Sequence, residues 1–116
     1  MVICGRRKEP LDAVVAQIGA AGGKAEAVQA DVGNEAQYTA AIEGAAARHG
    51  RLDILVNNAM AFTYGGITKM STADWHANFG TSVDGTFWGT RCAMKLMKGR
   101  GGAIVNVSSI CGTLGT

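Results

Sequence analysis

A chain of 116 residues, 47% of them hydrophobic, has the length of one domain and enough apolar material to bury a core. Its charged fraction of 17% and formal net charge of +2 come without a basic stripe, an acidic tail or a like-charge block, so electrostatics points to neither nucleic acid nor a membrane surface. Cys4, Cys92 and Cys111 are odd in number and widely spaced, which suits buried thiols of a reducing cytosol and not a disulfide framework or a metal site. No apolar run reaches the roughly 18 residues of a membrane span, and no charged region followed by an apolar core marks the start, so a cytoplasmic location is expected.

Taken in order, Val2-Ile3-Cys4-Gly5 reads as a buried strand with no lead-in, as if the chain began inside a larger unit. Pro10 is expected at a first helical position, followed by Leu11, Val14, Val15 and Ile18 at helical spacing, and Gly19 to Gly23 end that helix. Ala25-Glu26-Ala27-Val28 alternates as a second strand and stops at Asp31-Val32-Gly33. A second helix is predicted from Asn34, its N-cap, to His49, with Ile42 and alanines on the inner face. Gly50 closes it. Leu52 to Asn58 has a continuous apolar centre, which predicts a strand covered on both faces. After a loop of about a dozen residues, Ser71-Thr72-Ala73-Asp74 has the capping-box arrangement and opens one long helix to near Met97. Gly99-Arg100-Gly101-Gly102 breaks that helix, and Ala103 to Ser108 forms a last strand.

The alternation of four strands and three helices predicts an α/β fold with a parallel sheet and right-handed crossovers. In such sheets ligands bind beyond the carboxyl ends of the strands. The polar residues at those ends are Arg6 and Arg7, Asp31, Asn57 and Asn58, and Ser108 and Ser109.

Asn57-Asn58-Ala59 after Leu-Asp-Ile-Leu-Val, with Ala30-Asp31-Val32 before it, Asp74-Trp75 and Gly85-Thr86-Phe87 in the long helix, and Ile104 to Ser109 at the end, together cover nearly the whole chain. In order and spacing they resemble the short-chain dehydrogenase/reductase family. The resemblance implies that residues 1–116 are an incomplete NAD(P)-binding domain with a partial, doubly wound Rossmann-type sheet. It implies an oxidoreductase that transfers hydride between a nicotinamide cofactor and a small carbonyl or secondary alcohol.

Gly5-Arg6 ends the first strand where NAD-preferring members carry an acidic residue. Guanidinium groups at Arg6 and Arg7 suit a ribose phosphate instead, so NADP(H) is expected over NAD(H), against the plainer reading of two solvated loop arginines. By the same resemblance Asp31 and Val32 contact the adenine, the carboxylate also being suited to cap the following turn. Asn57, Asn58, Ala59 and Met60 then line the cofactor's sugars. Ser109 matches the catalytic serine that donates a hydrogen bond to the substrate oxygen. Two positions depart from the pattern. Met60 stands where the family has glycine, at a place of close backbone approach. Ser82 stands where it has an asparagine that helps to hold a relay water.

The family's Tyr-x-x-x-Lys pair is not formed by either tyrosine, since Tyr38 is followed four residues on by Ile42 and Tyr64 by Thr68. Gly19-Ala20-Ala21-Gly22-Gly23-Lys24 is no phosphate loop, because it is one residue short and lies between a helix and a strand. His49 and His76 have no acidic partners at ligand spacing, and no metal site is expected. In the doubly wound order 3-2-1-4-5-6 the four strands fall into two pairs with a slot between them. Either the two strands beside the slot close up and pair directly, or a second copy or a neighbouring segment fills it, or the chain is unstable in isolation; exposed apolar strand edges then favour association, and the long helix offers a second surface for a homo-oligomer. The chain alone is expected to be inactive. The alternative function is that of a non-catalytic remnant, or a module that binds through its strand edges and long helix.

Overall fold

The computed structural model describes residues 1–114. In chain order it contains β1 (Val2–Gly5), α1 (Lys8–Ala20), β2 (Glu26–Gln29), α2 (Glu35–His49) and β3 (Ile54–Asn57). A short 3₁₀ turn at Ile67–Lys69 precedes α3 (Thr72–Phe79), a π-helical segment Gly80–Asp84, α4 (Gly85–Met97), β4 (Ala103–Asn106) and a single helical turn, α5 (Cys111–Leu114).

The strands form two parallel pairs. β1 pairs with β2 in the register Val2 to Glu26 through Gly5 to Gln29, and β3 pairs with β4 from Ile54–Ala103 to Asn57–Asn106. Among the described residues no ladder joins β1 to β3. This is the split that the doubly wound strand order predicts, and the arrangement is a Rossmann-type α/β fold. Helix packing connects the halves. The core contains Tyr38 and Ile42 of α2, Leu55 of β3, Cys92, Ala93 and Met97 of α4, and Val32 from the loop after β2. The radius of gyration is 15.7 Å, against about 13 Å for a compact chain of this length, as expected when a sheet is divided.

Local signals account for most of the boundaries. Asn34 is extended and its Oδ1 accepts from Gln37 N at 3.0 Å, while Gly50 closes α2 at φ 81°, a left-handed turn that glycine adopts without strain. The capping box of α3 is complete, with Ser71 Oγ accepting from Asp74 N and the Asp74 carboxylate accepting from Ser71 N.

Four expectations are corrected. Of the three cysteines expected to be buried, Cys92 lies in the core while Cys4 and Cys111 are exposed. Pro10 is the third residue of α1 and not the first, because Lys8 and Glu9 are already helical. A proline is tolerated there because N–H groups of the first turn have no intrahelical partner to lose. The long helix is not regular. It passes through one π-helical segment at Gly80–Asp84, with Gly80 and Gly85 both in right-handed helical geometry, so the chain keeps its course while the side-chain phase shifts. Finally, β3 is covered on one face only. Leu55 and Asn57 point into the core, whereas Ile54 and Val56 are 62% and 53% exposed. Parallel register puts Ile54 beside Ala103 and Val56 beside Val105, and this row faces away from α2 and α4.

Candidate active site

Every parallel strand delivers its last residue to a loop at its carboxyl end, so the candidate groups lie at four loop starts. After β1, Arg6 and Arg7 are exposed, and Gln29 Nε2 donates to Arg6 O at 2.9 Å, tying this turn to the end of β2. Lys8 is held by Asp12 one helical turn on. Among the described residues neither Arg6 nor Arg7 has a carboxylate partner, so both guanidinium groups of this turn are available to an anion.

After β2, Asp31 Oδ1 accepts from Gly33 N at 2.8 Å and Asp31 N donates to Gln37 Oε1 at 2.9 Å. The carboxylate does cap the following turn, and its second oxygen makes no hydrogen bond among the described residues. A side chain at Gly33 would come within 3.2 Å of Asp31 Oδ1 and 3.1 Å of Thr81 Oγ1, so this loop lies directly against the π-helical segment. Val32 turns its side chain into the core. A Cβ at Gly85 would lie 2.6 Å from Val32 Cγ1, so the absence of a side chain there lets the helix close on the loop.

The end of β3 divides into two environments. Asn58, Ala59 and Met60 are exposed, with Met60 at 67%, and these are the groups a ligand could touch. Asn57 is only 8% exposed and faces inward. Its Oδ1 accepts from Tyr38 Oη at 2.8 Å, and its Nδ2 donates to Asn106 Oδ1 at 2.9 Å and to Thr90 Oγ1 at 3.2 Å. Side chains of α2, β3, β4 and α4 thus meet at one carboxamide.

Ser82 lies within the π-helical segment, and its hydroxyl accepts from Ala61 N at 3.3 Å and donates to Ala61 O at 3.4 Å. It therefore holds the loop that follows Met60. Its own carbonyl accepts from Thr86 Oγ1 at 2.8 Å. After β4, Ser108 and Ser109 are exposed. Ser109 Oγ accepts from Cys111 N at 3.2 Å, which orients the hydroxyl and leaves its hydrogen available to donate. No hydrogen bond joins Ser109 to Ser82 among the described residues.

Tyr38 is the residue that sequence reasoning passed over. It forms no Tyr-x-x-x-Lys pair, yet at 4% exposure it anchors the network around Asn57. The signal was a lone aromatic on an alanine-lined helix face, matched by Gly89 on α4. Burial, and then repulsion from negative charge on the Cys4 and Cys92 sulfurs when these ionise, push the Tyr38 phenol up from 10 to about 12. A pKa raised on folding gives stability that is complete below pH 10 and is lost as pH rises towards 12. Alkaline unfolding followed by circular dichroism is expected to show the wild type losing on the order of 2–3 kcal/mol over that interval relative to Tyr38→Phe. Parallel curves for the two proteins would contradict this.

The model for the family described as short chain dehydrogenase matches residues 1–116. The chain belongs to the short-chain dehydrogenase family. An oxidoreductase of Methylorubrum extorquens is 42% identical over 103 residues, covering 89% of this chain and 41% of the relative. A cyclopentanol dehydrogenase of Comamonas is 42% identical over 102 residues, covering 87% and 41%. A 3-oxoacyl-[acyl-carrier-protein] reductase of Synechocystis is 39% identical over 105 residues, covering 90% and 42%. Among solved structures, a metagenomic short-chain oxidoreductase in complex with NADP superposes with a TM-score of 0.89 at 35% identity, over 96% of this chain and 51% of that one. A short chain dehydrogenase from Burkholderia cenocepacia in complex with NADP gives a TM-score of 0.89 at 32% identity, over 97% and 46%. The chain thus spans about two-fifths of the curated relatives it matches. The site described above is accordingly a segment of a short-chain dehydrogenase fold.

Proposed function

We propose that this chain forms the adenosine-facing part and one catalytic group of an NADP(H)-dependent oxidoreductase acting on a carbonyl or secondary alcohol. The observation that carries this reading is the pair of guanidinium groups, Arg6 and Arg7, at the end of β1, neither of which meets a carboxylate among the described residues. In dinucleotide-binding folds the group at that strand end meets the adenosine ribose, and a carboxylate there serves the ribose hydroxyls of NAD. A guanidinium fork fits a ribose 2′-phosphate. The chemistry NADP(H) supplies when bound is hydride transfer.

The chain's own residues take the following parts in this reading. Arg6 and Arg7 hold the ribose phosphate. The free oxygen of Asp31 accepts from the adenine amino group, beside the main chain of Val32. Gly5 allows the backbone to approach at the strand end, and Asn58, Ala59 and Met60 run along the sugars. Met60 is 67% exposed, so its side chain lies on the same surface that Asn58 and Ala59 offer to a ligand. Asn57 acts from behind this surface. Ser109 donates to the substrate oxygen, and Ser82 shapes the loop beneath it through Ala61.

Neither tyrosine is followed by a lysine four residues on, so the isolated chain is expected to bind nucleotide without turnover. Activity is therefore tested with this segment exchanged for the corresponding one of the cyclopentanol dehydrogenase. The chimera is expected to reduce a cyclic ketone with NADPH, and Ser109→Ala in it is expected to lower kcat by about a hundredfold or more. A chimera equally active with alanine at 109 would remove Ser109 from the mechanism.

Two further expectations belong to the same reading. No helix among the described residues is long and apolar enough to cross a membrane, and a cytoplasmic location is proposed. The helix from Thr72 to Met97 exposes Trp75, Phe79, Val83, Phe87 and Met94, the first four spaced by four residues, and a second copy of the chain is proposed to pack along that stripe.

A further inference from the structure

The Asn57 carboxamide is enclosed by two residues that none of the roles above employs. Tyr38 reaches it from α2, and Gly89 passes over it on α4. A Cβ at position 89 would lie 2.7 Å from Asn57 Oδ1, 2.7 Å from Tyr38 Cε1 and 2.8 Å from Tyr38 Oη. These distances are shorter than side-chain carbons tolerate, so a phenol at 38 and a bare backbone at 89 fit only as a pair.

We propose that Tyr38 and Gly89 are a matched positioning pair, which fixes the Asn57 carboxamide in one orientation and thereby sets where the Asn58–Met60 loop and the Ser109 segment leave the sheet. A carboxamide can present either its oxygen or its nitrogen to a neighbour. With the phenol donating to Oδ1, both Nδ2 hydrogens are directed to Asn106 and Thr90. Asn106 is the register partner of Asn57 at the carboxyl end of β4, so this one amide couples the two strand ends. From there the chain runs one residue to Asn58 on one strand and three residues to Ser109 on the other. The phenol stays protonated through the neutral range, which keeps it a donor. α2 follows β2 in the other half of the sheet, so the contact also carries the position of that half to the β3–β4 edge.

The consequence for nucleotide binding rests on the NADP(H) reading, whereas the carboxamide lock itself does not. Wild type, Tyr38→Phe, Asn57→Ala and the double variant of the full chain are titrated with NADPH, and the Asn57 side-chain NH₂ group is followed by ¹⁵N NMR in wild type and Tyr38→Phe. Loss of the hydroxyl is expected to weaken NADPH binding about tenfold, Asn57→Ala at least as much, and the double variant no more than about twofold beyond Asn57→Ala, because Tyr38 acts only through Asn57. Effects that multiply, or a Tyr38→Phe protein that binds like wild type, would overturn the proposal. The NMR measurement needs neither nucleotide nor the alanine variant. Asn57 NH₂ hydrogens that exchange slowly in wild type and at least about ten times faster in Tyr38→Phe support the lock, and equal exchange overturns it. If wild type binds no NADPH, the functional reading fails and the lock is judged on that exchange alone.

Discussion

Gly89→Val is expected to cost about 3 kcal/mol, a large share of the stability of a domain this size. The β-carbon alone would stand 2.7 Å from both Asn57 Oδ1 and Tyr38 Cε1, and valine adds two methyl groups to a site with no space for the first atom. Asn57 cannot swing aside without giving up its bonds to Asn106 and Thr90, and Tyr38 is buried between α2 and α4. Gly89→Ala should be milder, about 2 kcal/mol, since alanine recovers close to 1 kcal/mol of helix propensity against a similar steric conflict. Gly19 is the control. It also lies in a helix, a β-carbon there would meet nothing within 4 Å, and Gly19→Ala is expected to stabilise by about 0.5–1 kcal/mol. Urea unfolding of the three variants checks the pattern, and a Gly89→Val protein as stable as wild type would show that α4 does not pack on Tyr38 as described.

The second large effect concerns the nucleotide. Arg6→Ala/Arg7→Ala is expected to weaken NADPH binding about a hundredfold while changing NADH binding less than about twofold, because charge-assisted bonds to a phosphate each contribute about 1.5–3 kcal/mol. Arg6→Lys keeps the charge but loses the planar fork, so an intermediate loss of about tenfold is expected. Lys8 is a poor substitute for either arginine because Asp12 already holds it. Calorimetric titration separates these cases. Equal losses for NADPH and NADH would mean that the two arginines support the fold of the turn and do not read the phosphate.

What was legible in the sequence was whatever is decided locally. Asn34 and Ser71 cap their helices through bonds that reach three residues along the chain, and Gly50 ends α2 by its own backbone freedom. Those signals need no tertiary structure. The four strands and their split into two pairs followed from element order and a rule of topology. The candidate residues at the strand ends followed from the rule that ligands sit beyond parallel strands.

Where the reading fell short, the deciding contact was distant in sequence. The π-helical segment at Gly80–Asp84 leaves no periodic signature, and it is accommodated where Gly85 closes on Val32 and Gly33 on Thr81. The two-sided cover expected for β3 assumed neighbours on both faces, and the described residues supply α2 and α4 on one. Asn57 is the more instructive case. Its place at a strand end groups it with Asn58 as a cofactor contact, yet side chains alternate along a strand, and an inward Leu55 already requires an inward Asn57. That alternation could have been applied from the sequence. Its partner, Tyr38, could not have been located the same way, because the bond spans 19 residues and depends on the packing of α2 against α4.

The NADP(H) reading proposed above requires Arg6 and Arg7 to give this segment a preference for the nucleotide that carries a 2′-phosphate. Titration of the chain with NADPH and with NADH at matched ionic strength tests it most directly. NADPH is expected to bind at least about tenfold more tightly, with a preference that shrinks as salt screens Arg6 and Arg7. Equal affinities, or tighter binding of NADH, would contradict the account.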